Sequence, residues 1–367
     1  MALLKDLSIN GKGNYGIGAS AVEKSDDLYT YLRITDIRDD GTLNLSDLKS
    51  VDDPEAKKYL LAPNDIVFAR TGASTGRNYF YDGSDGVFVY AGFLIKFSLD
   101  PKKVNPFYVK YYCQSEMYRN WVKSFSTGST RGNINAQTLG NMEVPLLTRA
   151  QQDFLVNVLS PLDAKIKLNQ QINDNLQQQA QAIYASMFVD NAEPTWKQGH
   201  LSDFVIVRYG KDHKKLADGI YPVYGSGGIM RHVERPLYDK ESVLIPRKGT
   251  LNNVMYVNQP FWSVDTMFYT EMRLPNVAKF VYHFVKAKDL AAMNAGSAVP
   301  SMTTDILNAM EIAIPPATVL EEFESLVAPM YRAMQGNDAQ SKKLADLRNA
   351  LLPKLMSGEI DVSDIQL

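Results

Sequence analysis

Two short runs carry residues that could do chemistry. Gly11-Lys12-Gly13-Asn14-Tyr15-Gly16 has the glycine spacing that lets a pyrophosphate approach the backbone. That use needs a buried strand before the loop and a helix after it. Here the preceding segment is polar and Ile17-Gly18-Ala19-Ser20 is a poor helix start, so a surface loop is expected. Asn105-Pro106-Phe107-Tyr108 is close to an Asn-Pro-Pro-aromatic run, whose amide and ring can hold a flipped adenine. The second proline is missing, and Asn as N-cap with Pro at the first helical position accounts for the same letters without catalysis. His200, His213, His232, His283 and Cys113 show no metal-ligand spacing, and neither a Walker loop nor a nucleophile elbow occurs. The expectation is a non-catalytic chain with no cofactor or metal of its own.

Composition bounds the rest. A length of 367 residues allows two or three domains, each able to bury a core. The single cysteine cannot form an internal disulfide, which points to a reducing cytoplasm. No run reaches the eighteen or so apolar residues of a membrane span, and Lys5 and Asp6 interrupt any signal-peptide core, so a soluble cytoplasmic protein is expected. The net charge of −2 excludes a surface that is basic throughout. Positive charge is concentrated in residues 1–147 and 191–316, which permits nucleic-acid binding through local patches.

The elements that must position any site are written twice. Ala182-Ile183-Tyr184-Ala185-Ser186-Met187-Phe188 aligns with Ala350-Leu351-Leu352-Pro353-Lys354-Leu355-Met356 at a distance of 168 residues. Met142-Glu143-Val144 aligns with Met310-Glu311-Ile312, and Gly128-Ser129 with Gly296-Ser297, at the same distance. A period this long is a duplicated domain plus helix, not a solenoid unit. No glycine occurs from 141 to 198, and the segment 148–190 reads as a short helix, a break near Ser160-Pro161, then a long helix to about Phe188. Its seam is Leu155, Leu159, Leu162, Ile166, Asn169, Asn173, Leu176, Ala180, Ile183 and Met187, in steps of four and three. The second seam is read as Leu326, Met330, Ala333, Asn337, Gln340, Leu344, Leu347 and Leu351. Asn169 and Asn337 fall at equivalent places, as expected of polar residues that fix the register of paired helices. The two remaining blocks show short β-type runs between Gly- and Asp-rich turns, each followed by one helical stretch, Pro106 to Lys123 and Asn276 to Met293.

This alternation resembles the specificity subunit of type I restriction-modification systems along essentially the whole chain. The most specific marks are Met142-Glu143-Val144-Pro145-Leu146 leading into Gln151-Gln152, and the endings Ser186-Met187-Phe188 and Lys354-Leu355-Met356-Ser357-Gly358-Glu359-Ile360-Asp361. Trp196 with His200-Leu201-Ser202-Asp203, and Tyr31-Leu32-Arg33-Ile34-Thr35-Asp36-Ile37, are similar to segments of that family's target recognition domains. The resemblance implies an α+β chain with domain 1 at 1–147, a central spacer helix at 148–190, domain 2 at 191–316, and a C-terminal spacer helix and tail at 317–367. The helices would pair as an antiparallel coiled coil with pseudo-twofold symmetry. Each domain would read half of a split, asymmetric site in double-stranded DNA. Methyltransferase subunits holding S-adenosylmethionine, and restriction subunits using ATP and Mg²⁺, would dock on the chain. The helix from Pro161 to Phe188 would measure about 42 Å, near the 34–36 Å that separates major grooves on one side of DNA.

Under that resemblance, DNA contacts are expected from turns that combine cations with hydrogen-bonding groups. In the first block these are Arg33, Arg70, Thr71, Ser74, Thr75, Arg77, Ser129, Thr130 and Arg131; in the second, Tyr209, Lys211, Lys214, Lys215, Ser226, Arg231, Arg247, Lys248 and Thr250. Arginine can read guanine bidentately, while Lys, Ser and Thr mainly hold phosphates. The rival readings are a DNA adenine methyltransferase-like enzyme and a coiled-coil scaffold with no DNA role.

Overall fold

The computed structural model describes residues 1–45, 47–125, 133–293 and 301–360. The chain divides into two compact units, one of residues 1–167 with 341–367 and one of residues 168–340.

In the first unit a four-stranded antiparallel sheet runs in the order Asn14–Tyr15, Leu94–Ser98, Asp65–Ala69, Asn78–Tyr81. A second four-stranded sheet has the order Ala21–Val22, Lys49–Val51, Tyr29–Leu32, Phe88–Tyr90, its last pair parallel. Strand Ala2–Leu3 pairs with Glu143–Val144. The second unit repeats the plan. Its four-stranded sheet runs Val205–Tyr209, Met267–Met272, Ser242–Pro246, Met255–Val257. Its three-stranded sheet places Asp218–Gly225 between Gly228–Val233 and a parallel neighbour, Trp262–Ser263, and Lys197–His200 pairs with Glu311–Ile314. The entry to each block is held alike: Leu4 N–H donates to Met142 O and Leu201 N–H to Met310 O, both at 2.9 Å.

The expected mixed α/β character is present, with one departure at the first block's helices and one at the second's. The stretch after Asn105 is two helices, Pro106–Tyr112 and Glu116–Ser124, because Ser115 turns its hydroxyl to cap the second one. The second block's helix is Ala278–Lys286, starting later than Asn276, whose φ of +58° lies outside the helical region. The GxGxxG run becomes a short strand at Asn14–Tyr15 with no helix behind it.

The long helices are Arg149–Ala185 and Ala317–Ser357. The expected break at Ser160 does not occur. Proline removes one i→i−4 bond, but Pro161 and Asn157, the residue four before it, are both exposed. Leu155, Val156 and Leu159 meanwhile bury the helix in the first unit's core, with Leu352, Leu355 and Met356. The first seam stands as read: all its members are buried or half-buried. The second is offset. Leu326 and Leu347 are 46% and 48% exposed, while Phe323, Val327, Met334, Ser341, Arg348 and Leu355 line the inner face with Met330, Asn337, Leu344 and Leu351. The polar members Ser341 and Arg348 break the apolar period that a sequence pattern relies on.

Candidate nucleic-acid interface

Arg70 follows the buried strand Asp65–Ala69 and is fixed by its backbone. Its N–H donates to Phe93 O at 3.1 Å, and its carbonyl accepts from Ile134 N–H at 2.9 Å. The guanidinium carbon lies 5.3 Å from the centroid of Tyr15 and 5.8 Å from that of Phe93, and its buried Nε–H has no acceptor. Both rings are open to solvent, 44% and 55% exposed. The Tyr15 hydroxyl accepts from Ala136 N–H at 3.2 Å, which holds the ring. Gly16 is required beside it: a Cβ there would sit 2.3 Å from both Tyr90 O and Ala91 O.

The second unit builds the same corner. Arg247 N–H donates to Thr266 O and its carbonyl accepts from Met302 N–H, both at 2.9 Å. Its guanidinium lies 5.3 Å from the ring of Tyr209, which is 52% exposed. Gly210 follows, and a Cβ there would meet Val264 O at 2.0 Å. Tyr15 and Phe93 are missing from the residues expected from sequence. The signal available was the dipeptide Tyr-Gly, present at 15–16 and 209–210, which gains meaning only once each arginine is known to cross it.

The other expected residues fall into three groups. Arg33 and Arg77 are turned inward. Arg33 grips Asp36 with Nε at 3.0 Å and Nη2 at 2.7 Å and reaches Asp47 O at 2.6 Å; the bond to Asp36 raises its pKa. Arg77 donates to Asp39 at 2.6 Å and to Ile37 O at 3.2 Å. Both arginines therefore brace the loop 33–47. Arg231 is similarly engaged by Asp218 and Leu216 O. A second group shapes turns: Thr71 bridges to Asn133, Ser74 is buried, Thr75 Oγ1 donates to Gly72 O at 2.7 Å, and Ser226 O accepts from Asn253. The third group is exposed, comprising Lys211, Lys214, Lys215, Lys248 and Thr250. Ser129, Thr130 and Arg131, with the Gly-Ser pairs of the duplication, lie outside the described residues.

Asn105 is a helix cap. Its Oδ1 accepts from Phe107 N–H at 3.0 Å, its Nδ2 donates to Asp153, and Tyr108 is fully buried with its hydroxyl on Pro145 O. No group of three or more potential metal ligands occurs among the described residues. His283 is buried between Gln181 and the Tyr331 hydroxyl, and burial lowers its pKa to about 4.

On the helices, Asn169 Nδ2 donates to Gln340 Oε1 at 2.9 Å and Asn337 O at 3.3 Å, and Asn337 Nδ2 donates to Asn173 Oδ1 at 2.8 Å. In the first unit Asp163 accepts from Lys110 Nζ at 2.8 Å, Tyr111 Oη at 2.9 Å and Arg348 Nη1 at 2.8 Å. Burial opposes ionisation of Asp163, but Lys110 and Arg348 outweigh it and hold the carboxyl below its ordinary range.

A block with this sheet plan, repeated and joined to long helices, is the DNA specificity domain of type I restriction modification, whose family model matches residues 9–178 and 193–321. The chain belongs to that family and is a specificity subunit with two target recognition domains. It is 24% identical over 302 residues to the type I restriction enzyme MjaIX specificity subunit of Methanocaldococcus jannaschii, covering 70% of each chain. It is 21% identical over 332 residues to the EcoprrI specificity subunit of Escherichia coli, covering 81% of this chain and 80% of that one. The crystal structure of an S subunit from M. genitalium shares the fold, with a TM-score of 0.55, 17% identity, and coverage of 96% of this chain and 95% of that one.

Proposed function

We propose that each domain reads one half of a split, asymmetric site in duplex DNA, and that the chain presents this site to methyltransferase and restriction subunits that carry all the chemistry. In this reading S-adenosylmethionine, ATP and Mg²⁺ belong to those partners, and the chain works in the cytoplasm without a cofactor of its own. The observation that carries it is the match of one DNA specificity model to two blocks of common sheet plan and different sequence. One module used twice reads two words when its exposed turns have diverged.

The long helices are read as an antiparallel coiled-coil spacer. Support comes from the contacts inside each unit. In the second, Asn169 meets Gln340, Asn173 meets the Met334 carbonyl, and Tyr184 meets Phe323. In the first, Asp163 meets Arg348, and Leu155 and Leu159 share a core with Leu352, Leu355 and Met356. Numbers rise on one helix as they fall on the other. A pseudo-twofold relation of the domains would follow from such pairing. The asparagine layer then sets register at some cost in stability.

Mapping methylated positions in genomic DNA from cells with and without this chain tests the proposal. A two-part motif methylated only when the chain is present is expected. An unchanged methylation map refutes it.

A further inference from the structure

Besides the entry of each block, the two arginine corners are wired alike. Tyr15-Gly16 corresponds to Tyr209-Gly210. Gly16 N–H donates to Leu94 O and Gly210 N–H to Met267 O; the next residue donates to Tyr90 O in one block and Ser263 O in the other. Arg70 and Arg247 each receive a bond from a segment returning 168 residues apart, Ile134 and Met302, and each guanidinium sits 5.3 Å from its tyrosine. Around these corners the blocks differ. The first braces loop 33–47 with Arg33 and Arg77, while the second carries the hairpin Asp218–Val233 with Ile220, Ile229 and Met230 exposed.

If the two blocks read different words, what they share cannot carry the difference. The shared corner must meet something present at both half-sites. The feature of DNA that does not vary with sequence is the phosphate backbone, which positions a protein without specifying bases. The chemistry fits: a guanidinium held against an exposed aromatic face keeps planar donors for an oxyanion, and Arg247, whose Nη1 also donates to Asp265 O at 3.3 Å, retains its other N–H groups.

We infer that Tyr15–Arg70–Phe93 and Tyr209–Arg247 are one device used twice, a clamp on a DNA phosphate, and that base discrimination resides in the unshared turns. The inference rests on the DNA-reading function proposed above.

The test is duplex binding by the complex of this chain with its methyltransferase subunits. Fluorescence anisotropy would be followed across a potassium chloride series, with the recognised duplex and with duplexes scrambled in one half-site. Arg70→Ala and Arg247→Ala are each expected to weaken binding to all duplexes by a common factor, roughly tenfold. The slope of log affinity against log salt should fall by about 0.9 for each clamp lost. Arg70→Lys keeps the charge and should restore the slope, separating the clamp from a folding defect. A variant that keeps the salt slope and loses discrimination at one half-site would make the arginine a base reader and overturn the inference, as would a lysine that fails to restore the slope. Absence of duplex binding by the unsubstituted complex would instead strike the DNA-reading function itself.

Discussion

Asp163→Asn offers a quantitative test of how the first unit holds its helices. The carboxylate is 17% exposed and neutralises Lys110 and Arg348, themselves 22% and 15% exposed. Breaking a fully buried pair costs about 3–5 kcal/mol and an exposed one about 0.2–1 kcal/mol. With roughly a fifth of each group open to water, a loss of about 2 kcal/mol is expected, because two cations remain without a counter-charge while the Tyr111 hydroxyl keeps an oxygen to bond. Arg348→Met removes a single cation and leaves Asp163 two donors, so about 1 kcal/mol is expected. The double variant should cost less than the two together, since each single change strands what the other removes. The assay is amide hydrogen exchange by mass spectrometry on the full chain, comparing residues 149–167 and 341–357 with strands Val205–Tyr209 and Met267–Met272 of the other unit. A loss of 2 kcal/mol is roughly thirtyfold faster opening of the helical segments. The folded carboxyl has a depressed pKa, so its contribution is present above about pH 4 and is lost as pH falls through the folded value. The gap between Asp163→Asn and the parent chain must therefore close in acid. Equal acceleration in both units, or a gap that persists in acid, refutes the reasoning.

Gly16→Ala and Gly210→Ala should each cost about 2–4 kcal/mol in thermal melting, since the new methyl meets backbone carbonyls at 2.3 Å and 2.0 Å that have no rotamer to retreat into. Losses below about 0.5 kcal/mol would mean that the corners are slack. His283 has a folded pKa of about 4, below its unfolded value near 6.5, so the unfolded chain takes up the proton first and stability falls as pH drops from 6.5 towards 4. His283→Gln should flatten urea-denaturation stabilities across that window, by up to about 3 kcal/mol; an unchanged profile would place the titration elsewhere. Val327→Ala should destabilise the second unit by about 2 kcal/mol and Leu326→Ser by less than about 0.5 kcal/mol, because only Val327 faces inward. The reverse order would reinstate the seam read from the leucine spacing.

That seam shows what the sequence disclosed and what it hid. The inner face of the second helix is the first seam moved by 168 residues, member for member: Leu155 becomes Phe323, Asn169 becomes Asn337, Asn173 becomes Ser341, Ala180 becomes Arg348. The duplication thus contains the right register, while apolar spacing alone points to Leu326 and Leu347. An arginine belongs in a seam only when a carboxylate waits across it, and Asp163 is 185 residues distant in sequence. The cap at Asn105-Pro106 was legible because its partners lie within two residues. Arg33 and Arg77 look like available donors in the sequence because nothing local marks Asp36 and Asp39 as their partners. The arginine–tyrosine corners need a strand end, a returning segment and a loop brought together, and no local spacing encodes that.

Divergence between the copies has gone by matched sets. Position 163 carries Asp and its equivalent 331 carries Tyr; position 348 carries Arg and its equivalent 180 carries Ala. The packed helices follow suit, with Lys110 and Tyr111 offered to Asp163 in the first unit and His283 offered to Tyr331 in the second. Exchanging one member alone is unfavourable in either direction. Aspartate at 331 would lose the hydroxyl bonded to His283 and bring a third carboxylate towards Lys279, which lies 5.8 Å from the Tyr331 ring and already pairs with Glu241 and Glu324, and tyrosine at 163 would strand two cations. Each domain is thereby matched to its own stretch of helix by chemistry that the other stretch cannot supply, which is specificity by mismatch as much as by attraction. The Tyr-Gly and arginine corners lie on the opposite side of this logic. They stayed the same while their surroundings changed, as expected of parts that answer to one unvarying partner.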